Sequence, residues 1–223
     1  MKIKVQIPDN LNEITVTQYA QYLNIVEQFD KMKEQEKNAD VFYLLKTLET
    51  FTGINYEDGL KLKLSDVKNI VLKIETLLNQ KPELIKTFKL GDTEFGFIPQ
   101  LDDMTFGEYV DIDTNISDWN TMHKTMAVLY RPIAKKVKDK YIIDDYKGDA
   151  YHEAMRFMPL DVAFSALIFF YHLGMDLSIG MTKFLENKKQ TPNSQESQIF
   201  LENGVGINQS INSLRAILQD MKI

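Results

Sequence analysis

The run LDVAFSALIFFYHLGMDL, Leu160–Leu177, constrains this chain more than any other segment. It is interrupted only by Asp161, His172 and Asp176, and its unbroken apolar part is shorter than the roughly 20 residues a membrane span requires. Read as a helix, it is apolar nearly all the way round. Such a helix must be wrapped by its own domain or partly covered by a partner. Pro159 suits the first turn, and the helical pattern continues to about Glu186. A chain of 223 residues is long enough to supply the wrapping.

The remaining pattern is mostly helical. A helix is expected from Val16 to Lys33, with Tyr19, Tyr22, Leu23, Val26 and Phe29 on one side. Asp40–Phe51 follows, capped by Gly53, and then SDVKNIVLKIETLLNQ from Ser65, whose buried stripe is Val67, Ile70, Val71, Ile74, Leu77 and Leu78. Gly91-Asp92 between LIKTFKL and TEFGFI reads as a two-residue hairpin turn. After Ser117, DWNTMHKTMAVLYRP reads as a helix stopped by Pro132, and IAKKV with KYIID as a second hairpin around Lys138 and Asp139. Met1–Ile7 alternates like a strand. GDAYHEAMRFM is a short helical stretch.

Two segments share one grammar. QIPDNLNEITVTQYAQYL, Gln6–Leu23, and FIPQLDDMTFGEYVDI, Phe97–Ile112, each run Ile-Pro, Leu, an apolar residue, Thr, and a Tyr four residues after that Thr. Thr15-Val-Thr-Gln18 and Thr105-Phe-Gly-Glu108 have capping-box spacing. Both read as joints that turn an extended chain into a helix.

Chemistry is harder to find. There is no cysteine, which excludes disulfides and thiolate ligands and fits a reducing cytoplasm. A net charge of −6, with both signs interspersed, argues against a nucleic-acid footprint. The N-terminus lacks the apolar run of a signal peptide. His123, His152 and His172 have no metal-ligand spacing; His152 reads as exposed, and His123 and His172 as core histidines. Asp102-Asp103, Asp111/Asp113 and Asp144-Asp145 fit capping and helix-dipole roles, and Asp111-x-Asp113-x-Asn115 fails as a calcium loop because no Gly follows at the sixth position. Gly204-Val-Gly206 lacks the context of a phosphate cradle, and no Gly-x-Ser-x-Gly occurs. The expectation is no enzyme, no cofactor and no metal.

What remains is surface. Ten Met, thirteen Phe and ten Tyr are generous for this length. Phe169, Phe170 and Leu173 on the long apolar helix are candidate partner contacts, as are Ile211, Leu214 and Leu218 on a C-terminal amphipathic helix.

TEFGFIPQLDDMTFGEYVDIDTNISDWNTMHKTMAVLYRPI (Thr93–Ile133), MPLDVAFSALIFFYHLGMDL (Met158–Leu177) and FLENGVGINQSINSLRAIL (Phe200–Leu218) resemble a group of tailed-bacteriophage morphogenesis proteins. The resemblance implies a tail assembly chaperone binding an aggregation-prone client such as the tape-measure protein, or alternatively a neck or tail connector ring subunit. It implies tail, portal or neck proteins as partners, a possible homo-oligomer, no nucleic acid and no membrane. The location it implies is host cytoplasm during assembly, with the virion as the ring subunit's place. The expected fold is α+β, mainly α with small antiparallel hairpins, in one domain (1–187) around the central helix. A polar linker (188–198) and a terminal helix (199–223) follow.

Overall fold

The computed structural model describes residues 6–101, 104–138 and 140–187. Residues 1–5 of the expected Met1–Ile7 strand, Asp102-Asp103, Asp139, the linker and the terminal helix with Ile211, Leu214 and Leu218 lie outside the described residues; Gln6 and Ile7 are described and form no strand.

The fold is mainly helical with one four-stranded antiparallel sheet. α1 (Val16–Met32) opens with the expected capping box: Gln18 N donates to the Thr15 hydroxyl, and the Gln18 side chain accepts from Thr15 N. α2 (Ala39–Thr52) ends at Gly53, whose left-handed φ of 72° suits glycine. α3 (Tyr56–Gly59) is a single turn too short to leave a periodic trace. α4 (Leu64–Leu78) packs Val67 and Val71 of the expected stripe with Leu45 and Leu48 of α2, buries Ile74, Leu77 and Leu78 in the main core, and leaves Ile70 half-buried. Tyr22, Tyr43 and Glu75 form a hydrogen-bonded chain across α1, α2 and α4. Burial, first of all, holds the Tyr43 phenol well above its ordinary value.

β1 (Thr87–Leu90) and β2 (Thr93–Phe97) pair around Gly91. The chain then makes α5 (Phe106–Asn115) and α6 (Met122–Leu129) before β3 (Tyr130–Val137) returns beside β2; β4 (Lys140–Ile143) closes the order β1-β2-β3-β4. This corrects the expectation that Pro132 stops a helix. The helix ends at Leu129, and Tyr130-Arg131-Pro132 already pairs with Phe95–Phe97. The residue before a proline is pushed towards extended backbone, and the strand exploits that bias.

α7 (His152–Met155) leads into α8 (Leu160–Asn187), the long apolar helix. A clasp between distant segments seats its start: Leu160 N donates to the Ile14 carbonyl at 2.8 Å, and Val16 N to the Met158 carbonyl at 3.1 Å. Thr17 adds its backbone N–H and its hydroxyl to the Arg156 carbonyl. The two helix starts therefore share one hydrogen-bonded base. Above it, Tyr19, Trp119 and Phe164 pack edge to face, with ring centroids 4.6 to 5.7 Å apart. Ser165, a polar residue inside the apolar helix, is satisfied by donating to the Val162 carbonyl and accepting from Ile85 N.

Two histidine expectations need correction. His172 is exposed, because α8 has passed beyond its wrapped section by that point. His152 is half-buried, and its Nε2 atom is enclosed without a hydrogen-bond partner.

Candidate functional site

The central helix changes character within one turn. Every side chain from 162 to 167 is buried, whereas none described from Ile168 onwards is fully buried. Nothing in the composition marks this boundary, since Ile168, Phe169, Phe170, Tyr171, Leu173 and Met175 continue the apolar run. Ile168, Phe169, Phe170 and Tyr171 still pack against the main core but are only partly buried there. Phe169 and Phe170 rest on Phe97 of β2 at centroid distances of 5.7 and 5.9 Å and on each other at 5.5 Å. Leu173 is half-buried one turn further on.

Beside these rings lies a cleft of about 660 Å³. Phe97, Ile98, Leu101, Leu84 and Phe169 give it apolar walls, and Lys86 and Lys140 also line it. Its size falls within the range of ligand-sized clefts. Tyr141 forms one side, donating its hydroxyl to the Phe97 carbonyl at 2.8 Å and to the Lys86 carbonyl at 3.3 Å. Burial raises the Tyr141 phenol above its ordinary value, which keeps it a proton donor to those carbonyls. Its ring lies against Gly96, where a Cβ would come within 2.5 Å of the ring edge. Glycine is required there by a close approach rather than by a turn.

A second cleft, about 320 Å³, opens on the other side of Ile98-Pro99-Gln100. Arg131 lines it, together with Asp144 and Asp145. Arg131 is buried and donates through Nη1 to Glu108 Oε1 at 2.8 Å. The other Glu108 oxygen accepts from the Thr105 backbone N–H and hydroxyl at 2.6 and 2.7 Å. One carboxylate thus caps α5 and neutralises a buried guanidinium. Nearby, Tyr146 donates to Asp111; burial first, and then this hydrogen bond, raise the Tyr146 phenol. Asp111 therefore serves as an acceptor on α5 rather than as a cap.

The first Ile-Pro segment repeats this logic with a neutral residue. Gln18 Oε1 accepts from Thr15 N and Oγ1, and Gln18 Nε2 donates to the Thr50 carbonyl at 3.1 Å. Both boxes thus use their third residue to tie the helix start to a second element. The tyrosines differ: Tyr19 is 1% exposed in the core, and Tyr109 is 49% exposed on the surface.

His123, buried on α6, has Nε2 without a hydrogen-bond partner. Its pKa is lowered chiefly by burial and then by the nearby Arg156 charge, which Glu153 partly opposes. Among the described residues, no group of three or more His, Asp or Glu side chains could hold a metal ion. No helix among them is long and apolar enough to cross a membrane.

Of the candidate contacts, Phe169, Phe170 and Leu173 fall together on the half-covered part of α8, and the two rings meet Phe97. The cleft itself was not foreseen from sequence. It is assembled from residues 84, 86, 97–101, 140–141 and 169, and no local pattern links those segments. Gly96, isolated inside a strand pattern, was the available signal for a close approach. Compared with known protein families, curated proteins and solved structures, the chain matches none.

Proposed function

We propose that the protein is a non-catalytic bacteriophage assembly factor, a tail assembly chaperone that holds an apolar helical segment of a tail protein. The observation that carries this reading is the change at Ile168, from which the apolar helix is only partly covered among the described residues, beside a cleft with apolar walls. An amphipathic client helix fits such a surface by laying apolar anchors against Phe169, Phe170 and Leu173. Lys86 and Lys140 favour a client whose flanking residues are acidic. The phenylalanine pair supplies a large contact area, and Met175 adds an adaptable side chain on the same stretch. The resemblance of Thr93–Ile133 and Met158–Leu177 to phage morphogenesis proteins supports the same class of role.

A connector ring subunit is the second reading. It is favoured by exposed apolar residues on α5 and near α4, well separated in sequence from the α8 surface. A ring would remain in the particle, and a chaperone would leave it.

The test is co-expression with a long helical tape-measure protein, followed by co-purification. Leu173→Asp is expected to leave the thermal midpoint near that of wild type and to abolish co-purification. Retained co-purification by the folded variant would remove the α8 surface from the contact. Leu214→Asp with Leu218→Asp asks the same of the terminal segment.

A further inference from the structure

We propose that α7 is a proton-operated latch: with His123 and His152 uncharged it holds the base shared by α1 and α8 closed, and their protonation opens it. The latch uses none of the residues that line the α8 cleft and stands independently of the chaperone reading.

α6 and α7 pack on each other, and each carries one imidazole close enough to act on the charge of the other. His123 is buried, and its Nε2 and that of His152 are both enclosed without a hydrogen-bond partner. A charged imidazole carries an N–H at both ring nitrogens. Protonation of either ring therefore leaves a charged donor enclosed with nothing to accept from it, a state that burial penalises.

The surrounding charges add to that penalty. Burial acts first on His123, the guanidinium of Arg156 at the end of α7 acts second, and His152 and Lys124 act in the same direction. Glu153 opposes them, but its carboxylate already accepts from Arg156 Nε at 2.9 Å. The other elements packed on α6 are α5, β3 and α1. On α5 and β3, Glu108 and Arg131 are paired to each other, Asp111 is held by Tyr146, and Asp113 is exposed. On α1, Glu27 and Asp30 are paired to Lys31 and Lys33. The phenols of Tyr22 and Tyr130 are raised by burial and stay neutral.

α7 is the side that yields. α6 buries every residue except Lys124, whereas α7 is a single turn that buries only Met155. The end of α7 also carries the clasp. The Arg156 carbonyl accepts from Thr17 N and Oγ1 at 3.2 and 2.8 Å, and the Met158 carbonyl accepts from Val16 N at 3.1 Å. Movement of α7 away from α6 withdraws these acceptors from α1 and loosens the start of α8. A single turn opens at lower cost than the whole fold. The direction follows from linkage. The pKa of His123 in the closed form lies below the ordinary 6.5, so the open form takes up the proton more readily and opening is favoured as pH falls below 6.5.

The experiment reads amide hydrogen exchange of the purified full chain by NMR at about pH 7.5 and about pH 5, which bracket the imidazole range, with correction for the pH dependence of exchange itself. The Val16, Thr17 and Leu160 amides report the clasp. The Phe97 and Ile98 amides, bonded to the Lys86 and Leu129 carbonyls, report opening of the whole fold. Clasp amides are expected to be less protected than Phe97 and Ile98 at both pH values, and to lose roughly tenfold more protection at the lower one. His123→Gln is expected to remove that loss. Should this variant fail to fold, Arg156→Met takes its place; it keeps the clasp carbonyl, removes the guanidinium and is expected to shift the opening to lower pH. The proposal is overturned if clasp protection equals that of Phe97 and Ile98, since the clasp would then open only with the whole fold. It is equally overturned if clasp protection is the same at both pH values, or if the folded variant opens as wild type does.

Discussion

Glu108 and Gln18 occupy the same position in two capping boxes, and the difference between them lies in what their remaining atom holds. Gln18 spends its amide on a carbonyl of α2, a neutral bond. Glu108 faces a buried guanidinium, so loss of its charge leaves Arg131 uncompensated in a low-dielectric setting. Glu108→Gln keeps the cap geometry but is expected to cost about 3–5 kcal/mol, read from urea unfolding. A cost no larger than that of an ordinary cap, about 1 kcal/mol, would show that the pair is not enclosed as described. His123 gives a pH signature. Its folded pKa lies below the ordinary 6.5, so the unfolded chain takes up the proton first. Its contribution to stability is complete above pH 6.5 and is lost as the pH falls below that value towards the lowered folded pKa. Asp161 has the opposite sign. Burial raises its carboxyl above 3.8, so its contribution is complete below 3.8 and is lost as pH rises through the raised value. Stability measured from neutral pH downwards is therefore expected to decline first through His123, and His123→Gln is expected to flatten that decline.

At the scale of elements, the sheet depends on one glycine. Tyr141 of β4 lies over Gly96 of β2 and bonds the carbonyls of Phe97 and Lys86, tying the two hairpins into one sheet. Gly96→Ala drives a methyl group into that ring. The expected cost is about 1–3 kcal/mol, the usual range for overpacking, measured by thermal or urea unfolding. An unchanged midpoint would mean that the ring moves aside freely. The helices show which features were legible in the sequence. Capping boxes, the Gly53 cap and the α4 stripe are local signals, and each lies where the residue spacing puts it. The end of α6 was not legible. Tyr130-Arg131-Pro132 continues a helical pattern, but pairing with Phe95–Phe97 overrides it. The clasp of residues 14–17 with 156–160 joins segments about 140 positions apart, and no local rule reaches that far. The same distance hid the cleft, while Phe169, which lines it, and Phe170, which packs on Phe169 and Phe97, stood out by composition alone.

For the whole molecule, the clasp seats α1 and α8 on one base, with the Tyr19–Trp119–Phe164 cluster packed above it. Among the described residues, full burial on α8 is concentrated at 162–167, and Phe169, just beyond, lines the cleft. Burying more of that surface on a client would bring further hydrophobic stabilisation, which is why the account assigns this region to a partner. The central claim is that the partner is a tail protein held during assembly and then released. Under this proposal, the most direct measurement is peptide mass spectrometry on gradient-purified virions of the proposed source phage, alongside lysate of its infected host. The account predicts abundant peptides in the lysate and none in the finished particle. Peptides at stoichiometric abundance in the virion would contradict it and make the protein a structural subunit of the tail or neck.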